Sequence, residues 1–285
     1  MKKIKNIIVA TDFSITARRA YQYACALAKT IGAQLTIVHV KENFTIVSDV
    51  VVSSIPSAAH EQLIKDIEEM VTEENTQLDQ KTIKGEVKIK ILTGNPANVL
   101  IGLSERNETD LIVIGTTGFS DVFTKLFGSV SLDVSNKANC PVILVPREAR
   151  WHAIETILFA SNYDSITSKF VSKITEFALN LNAKVHYVNV RNYDPILEPK
   201  QKDINWDELI KPENTGLAFE RSTIYGNNTV DELRRFSEDN NISLMAFVSK
   251  QRNFWQNLAH ISITKNMAIS TMLPILVMHP DDEEI

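Results

Sequence analysis

At 285 residues the chain is too long for one ordinary small domain and comfortable for two. Its 44% apolar and 23% charged content is that of a globular protein with a sizeable core, and a net charge of −5 excludes the basic footprint of a nucleic-acid binder. No apolar run approaches a membrane span, and two isolated cysteines, Cys25 and Cys140, make neither a disulfide framework nor a metal cluster.

The basic start M-K-K-I-K is followed by an apolar run that Asp12 cuts short, so it reads as a first strand, Ile4 to Ala10, rather than a signal peptide. Reduced thiols and a cytosolic location are expected. Ser14 suits the N-cap of a helix that runs to Lys29, with Gly32 as its stop. Leu35 to Val40 is a second strand. A mixed loop leads to Pro56, and Ser57 is expected to cap an amphipathic helix from Ala58 to about Gln80, with Leu63, Ile64, Ile67, Met70 and Val71 at helical spacing. Val87 to Leu92 carries alternating lysines, which places one face in water or near an edge. Asn95-Pro96 starts a short helix, a cap residue followed by proline at the first helical position. Leu111 to Ile114 is a buried fourth strand. A helix carrying Val130, Val134 and Ala138 follows Gly128, and the fifth strand is bracketed by Pro141 and Pro146.

Strands that alternate with helices imply a parallel sheet covered on both faces, with ligands received beyond the carboxyl ends of the strands. Asp12 and Gly115 each end a strand and belong on that rim. The stretch from Leu111 to Ser131 is the most informative: a buried strand, Gly115, Gly118 three positions on, and Gly128-Ser129 opening a helix. Glycines admit close backbone approach, and the first amides of a helix face outward without intrahelical partners. That combination suits a phosphate. Other readings stay open: Asp12 and Ser129 both suit helix caps, His39 suits a packed or edge position, and Phe119, Phe123, Leu126 and Phe127 suit packing. Lys125 could reach a phosphate or stand in solvent.

The pattern then repeats. Ile157 to Tyr163 echoes Ile7 to Phe13, Asn182 to Val190 echoes Gly32 to Val40, and Leu244 to Pro274 runs in register with Leu111 to Pro141. Two domains of one fold are expected, at 1–146 and 151–285, with a shorter segment between the second and third strands in the second copy.

The A-T-D-F-S run after strand one, the G-x2-G-x9-G-S pattern after strand four and the C-P-V-I-L-V-P ending closely resemble the universal stress protein (UspA-like) family. The resemblance spans nearly the whole chain as a tandem pair. It implies two tandem five-stranded parallel α/β domains, Rossmann-like and akin to the adenine nucleotide alpha hydrolases, paired through their fifth strands. It also implies binding of ATP, or of ADP or AMP, by members with the intact glycine pattern. Carried over by position, Ala10, Thr11, Asp12 and the Val40 backbone would frame the adenosine. Gly115 would lie against the ribose and α-phosphate, and Gly118, Gly128, Ser129, Val130 and Ser131 would hold the phosphates. A divalent metal such as Mg²⁺ would accompany a triphosphate.

In the second copy Gly115 becomes Val248, Gly118 becomes Gln251, Gly128 becomes Ile261 and Asp12 becomes Asn162, while Ser129 persists as Ser262. Side chains stand at the points of approach, and positive φ would be costly at Val248 and Ile261. That half is expected to bind no nucleotide, with Phe254 and Trp255 filling its rim and Lys250 and Arg252 leaving a weak case for another anion. The expected function is a stress-response binding module without membrane or nucleic-acid partners. A slow ATPase or nucleotidyl transferase and a nucleotide-free scaffold are the alternatives, and a homodimer is a further expectation. The P-loop pattern G-x4-G-K-[ST] is absent.

Overall fold

The computed structural model describes residues 3–42, 57–77, 87–106, 108–116, 128–160, 168–191, 218–248 and 273–279. The chain divides into two compact units, Ile4–Trp151 and His152–Ile285 together with Met1–Lys3.

In the first unit five strands alternate with four helices. In chain order they are β1 (Asn6–Thr11), α1 (Ile15–Ile31), β2 (Gln34–Lys41), α2 (Ser57–Gln77), β3 (Lys88–Thr93), α3 (Pro96–Ser104), β4 (Leu111–Gly115), α4 (Ser129–Lys137) and β5 (Val142–Val145). All strand pairs are parallel, and the spatial order is β3-β2-β1-β4-β5. The central strands are continuous apolar runs because both faces are covered: Ile7, Val9, Leu111, Ile112, Val113, Val142, Ile143 and Leu144 are wholly buried. The Lys88–Ile89–Lys90–Ile91 alternation falls on β3, at one edge of this sheet, where the lysine face is the more exposed one.

The helix ends follow the sequence rules. Ser14 caps α1 through its hydroxyl, which accepts from the Ala17 amide at 3.2 Å, and Gly32 ends it in the left-handed conformation at φ 70°. Asn95 caps α3, accepting from Asn98 N at 3.1 Å ahead of Pro96. Each such cap contributes about 1 kcal/mol. Ser57 differs from expectation: it is the first helical residue of α2, and its hydroxyl donates to Glu61 one turn on, at 3.3 Å. Alanines 17, 20, 24 and 28 line the buried face of α1. Between α1 and α2 a polar seam is fully paired: Arg18 bridges Glu73 at 2.7 Å and Glu74 at 3.1 Å, the Gln22 amide donates to Glu74, and Tyr21 Oη donates to Asn75 at 3.2 Å.

The second unit repeats this frame. Its elements are β6 (Thr156–Ala160), α5 (Ser168–Leu181), β7 (Lys184–Arg191), β8 (Phe219–Tyr225), α6 (Thr229–Asp239), β9 (Leu244–Val248) and β10 (Ile275–Met278). The strand order is β10-β9-β6-β7-β8, again parallel throughout. The repetition extends to single hydrogen bonds. Ile7 pairs with Leu111 in β1–β4, and Ile157 with Leu244 in β6–β9. Gly94 N donates to Lys41 O at 3.1 Å, and Gly226 N to Arg191 O at 2.9 Å. The Asp110 carboxylate takes the amides of Lys5 and Asn6, each at 3.0 Å, and the Ser243 hydroxyl takes those of Glu155 and Thr156 at 3.3 and 3.5 Å. Where Gly32 ends α1, Asn182 follows α5 with φ 53°, asparagine being a tolerated substitute in that conformation.

Several tyrosines lie inside the units. Burial pushes the phenols of Tyr21 and Tyr23 up, and that of Tyr187 up to about 12. A phenol freed by unfolding ionises near 10. Between those two values the unfolded chain holds fewer protons than the folded one, so stability falls as pH rises. For Tyr187 the loss is expected to be on the order of 1 kcal/mol per pH unit above pH 10. Urea unfolding at pH 9, 10 and 11 should show it, with a shallower decline in Tyr187→Phe.

Candidate functional site

The sheet of the first unit grows outward from β1 in two directions. The chain passes from β1 to β2 and β3 on one side, then crosses to β4 and β5 on the other. The carboxyl ends of β1 and β4 therefore flank a topological switch point, where helices diverge and leave a crevice. Thr11–Asp12 and Gly115–Thr116 lie on that rim.

The β1 side is a tight, over-determined turn. Thr11 is buried, and its hydroxyl accepts from Phe13 N at 3.1 Å and donates to Met70 Sδ of α2 at 3.7 Å. Asp12 is exposed, and its Oδ1 accepts from Ser14 N at 3.0 Å. Its Oδ2 makes no hydrogen bond among the described residues, so one oxygen shapes the turn and the other faces outward. Phe13 between them sits at φ 64°. That is the left-handed region, which costs a bulky residue about 1 kcal/mol or more unless its surroundings enforce it. His39, in register with Thr11 on β2, supplies part of that enforcement. Its ring lies 5.0 Å from the Phe13 ring, and its Nδ1 donates to Thr11 O at 2.9 Å. A carbonyl can only accept, so Nδ1 carries the proton of this bond.

The β4 side is shaped by close packing. A Cβ built on Gly115 would stand 2.7 Å from Thr16 Cγ2 and 2.9 Å from the Thr16 carbonyl carbon and oxygen. Gly115 is thus required by the first turn of α1, which lies directly on the end of β4. Gly115 therefore answers to the packing of its own chain at this strand end. The expected cost of positive φ at Val248 lapses, since neither Gly115 nor Val248 has φ above zero. Gly128 is extended at φ −71°, and its counterpart Ile261 lies outside the described residues.

Beyond Thr116 the chain leaves the described residues and returns at Gly128. The two ends of that excursion are tied at Thr116. Its amide donates to Val145 O at 3.1 Å, and its carbonyl accepts from Gly128 N and, at 2.9 Å, from the Ser131 hydroxyl. The same hydroxyl lies 2.9 Å from Gly128 O, and Ser131 is 2% exposed. Its proton is therefore committed within the chain. The helix that starts here differs from α1 and α3. Gly128 is its N-cap and has no side chain to cap with, and among the described residues the amides of Ser129, Val130 and Ser131 have no acceptor. They present the positive end of the helix dipole to the rim.

The predicted residues thus fall as follows. Ala10 and Thr11 end β1, Asp12 projects from its tip, and Val40 is near the end of β2, opposite Leu92 of β3. Gly115 ends β4, and Gly128, Ser129, Val130 and Ser131 form the start of α4. Gly118, Phe119, Phe123, Lys125, Leu126 and Phe127 lie outside the described residues. So do Asn162, Lys250, Gln251, Arg252, Phe254, Trp255, Ile261 and Ser262 of the second copy. Asp12 shapes the turn rather than capping α1, a task that falls to Ser14. Thr16 and the Phe13–His39 contact were not singled out from sequence. The available signal was the histidine two residues from the end of β2, level with the strand end that bears Asp12.

The fold is that of a doubly wound α/β protein whose switch point carries a helix start without a side-chain cap and an exposed carboxylate. The chain belongs to the universal stress protein family, whose sequence profile matches residues 3–146. It is 31% identical over 149 residues to universal stress protein MJ0531 of Methanocaldococcus jannaschii, covering 50% of this chain and 82% of that one. It is 30% identical over 161 residues to the stress response protein NhaX of Bacillus subtilis, covering 49% of this chain and 96% of that one. Over its full length the fold is like that of a universal stress protein from Archaeoglobus fulgidus, with a TM-score of 0.66 and 17% identity across 98% of this chain and 99% of that one.

The Gly115–Thr16 contact has a measurable consequence. Gly115→Ala should destabilise the first unit by about 1–3 kcal/mol, because a backbone carbonyl cannot move aside as a side chain can. Thr16→Ser, combined with it, should restore little, since the backbone contact persists. Chemical denaturation of the parent and the two variants checks this.

Proposed function

We propose that the first unit binds ATP, or ADP or AMP, at the rim between β1 and β4, and that the chain is a stress-response binding module. The observation that carries this reading is the uncapped first turn of α4, whose amides stand where the strand order reverses. Those amides and the Ser129 hydroxyl are donors matched to phosphate oxygens. The outward Asp12 oxygen is an acceptor matched to a ribose hydroxyl or a base amine, and the Val40 backbone lies on the adenosine side of the same rim. In this reading Ser131 acts behind the site, holding Thr116 to Gly128, and Gly118 lets the loop backbone approach the phosphates.

Among the described residues no group of three metal-ligating side chains occurs. A Mg²⁺ arriving with the nucleotide would take its ligands from phosphate oxygens, water and at most Asp12. Among the described residues Asp12 is the carboxylate at the tip of β1, and one of its oxygens is held by Ser14 N. That arrangement serves binding better than acid–base turnover. No described helix is long and apolar enough to cross a membrane. The second half, at 151–285, is proposed as the nucleotide-free partner of the first, paired through fifth strands as the family resemblance implies.

The test is direct. Nucleotide released from the purified full chain should be an adenine nucleotide by mass spectrometry, and calorimetric titration with ATP should give one site per chain. Gly118→Val should weaken binding at least tenfold. Absence of both co-purified nucleotide and ATP binding refutes the proposal, and two sites per chain refute the division of labour between the halves.

A further inference from the structure

We propose that His39 is a positioning residue for the nucleoside end of the site, a role that rests on the nucleotide reading above. The argument starts from Asp12. Its Oδ1 is held by Ser14 N, so the direction of Oδ2 follows the path of the backbone through Phe13. Phe13 is at φ 64°, a conformation that a phenylalanine does not keep unaided. Thr11 and Asp12 hold the turn from inside, through Thr11 Oγ1 to Phe13 N and Asp12 Oδ1 to Ser14 N. His39 holds it from the next strand, by the 2.9 Å bond from Nδ1 to Thr11 O and by its ring against Phe13.

These contacts link the end of β2 to the tip of β1. They connect the two places that frame the nucleoside in the reading above: Asp12, which follows Thr11, and Val40, which follows His39. The bond from Nδ1 to Thr11 O fixes the spacing between the two strand tips, and with it the gap between an acceptor at Asp12 and the Val40 backbone. The α4 amides belong to another part of the rim and are tied through Thr116, not through His39. His39 should therefore govern recognition of the sugar and base and leave the phosphate end untouched.

Two near-isosteric variants separate this role from a general contribution to folding. The amide nitrogen of asparagine falls where Nδ1 stands, so His39→Asn keeps the donor to Thr11 O. That of glutamine falls where Nε2 stands, so His39→Gln moves the donor out of reach. The experiment is calorimetric titration of the full chain with adenosine and with ATP. His39→Asn should stay within about threefold of the parent for both ligands. His39→Gln should lose about tenfold, by the same factor for adenosine as for ATP, since the shared end of the ligands is affected. If the parent binds no ATP, the nucleotide reading itself fails. If the parent binds ATP and the two variants match each other, or if only ATP binding changes, or if adenosine alone does not bind the parent, the role of His39 is refuted while the nucleotide reading stands.

Discussion

The carbonyl of Thr116 takes two donors, the Gly128 amide and the Ser131 hydroxyl, while the amide of the same residue is tied to Val145. One peptide unit thereby joins the end of β4, the start of α4 and the neighbouring strand β5. It brings Thr116 and Gly128 together and holds the first turn of α4 at a fixed place on the rim. The hydroxyl of Ser131 is buried and doubly engaged, so its contribution is to position neighbouring groups. Among the described residues the amides at 129 to 131 have no acceptors, as the first amides of a helix lack intrahelical partners.

The rim is thus assembled from two devices that differ in kind. On the β4 side the backbone is fastened and the donors are the chain's own amides. On the β1 side the backbone is bent into an unfavourable conformation, and the acceptor is a carboxylate at the tip of the bend. Cost accepted at one residue and enforced by several neighbours is the pattern expected where geometry serves more than folding. The adjoining contact of Gly115 with Thr16 shows the converse. A glycine in a ligand-binding pattern here answers first to the packing of its own chain.

Much of this was legible in the sequence. The order of strands and helices, the caps at Ser14 and Asn95, the stop at Gly32 and the internal repeat followed from periodicity and from residues with narrow conformational preferences. In the structure the repeat extends to the pairing of Ile7 with Leu111 and of Ile157 with Leu244, positions that are equivalent in the two copies. What sequence could not supply were contacts between residues far apart in the chain. His39 meets Thr11 across a strand pair, Thr16 meets Gly115 across a helix–strand contact, and Ser131 reaches back to Thr116. None of these has a local signature. A serine in a helix's first turn looks the same whether it faces a ligand or closes a loop, and a glycine at a strand end looks the same whether a phosphate or a threonine lies over it.

At the opposite end of β1 from the rim, the Asp110 carboxylate accepts from two successive amides, where the second unit uses the Ser243 hydroxyl at longer distances. An ionised acceptor makes the stronger bond, so β1 is anchored by charge at its entry. The anchoring point and the rim occupy opposite ends of the same strand. Substitutions at the rim can therefore leave the register of the sheet beneath it unchanged. The division lets the rim of the first unit vary while its framework, shared with the second unit, stays the same.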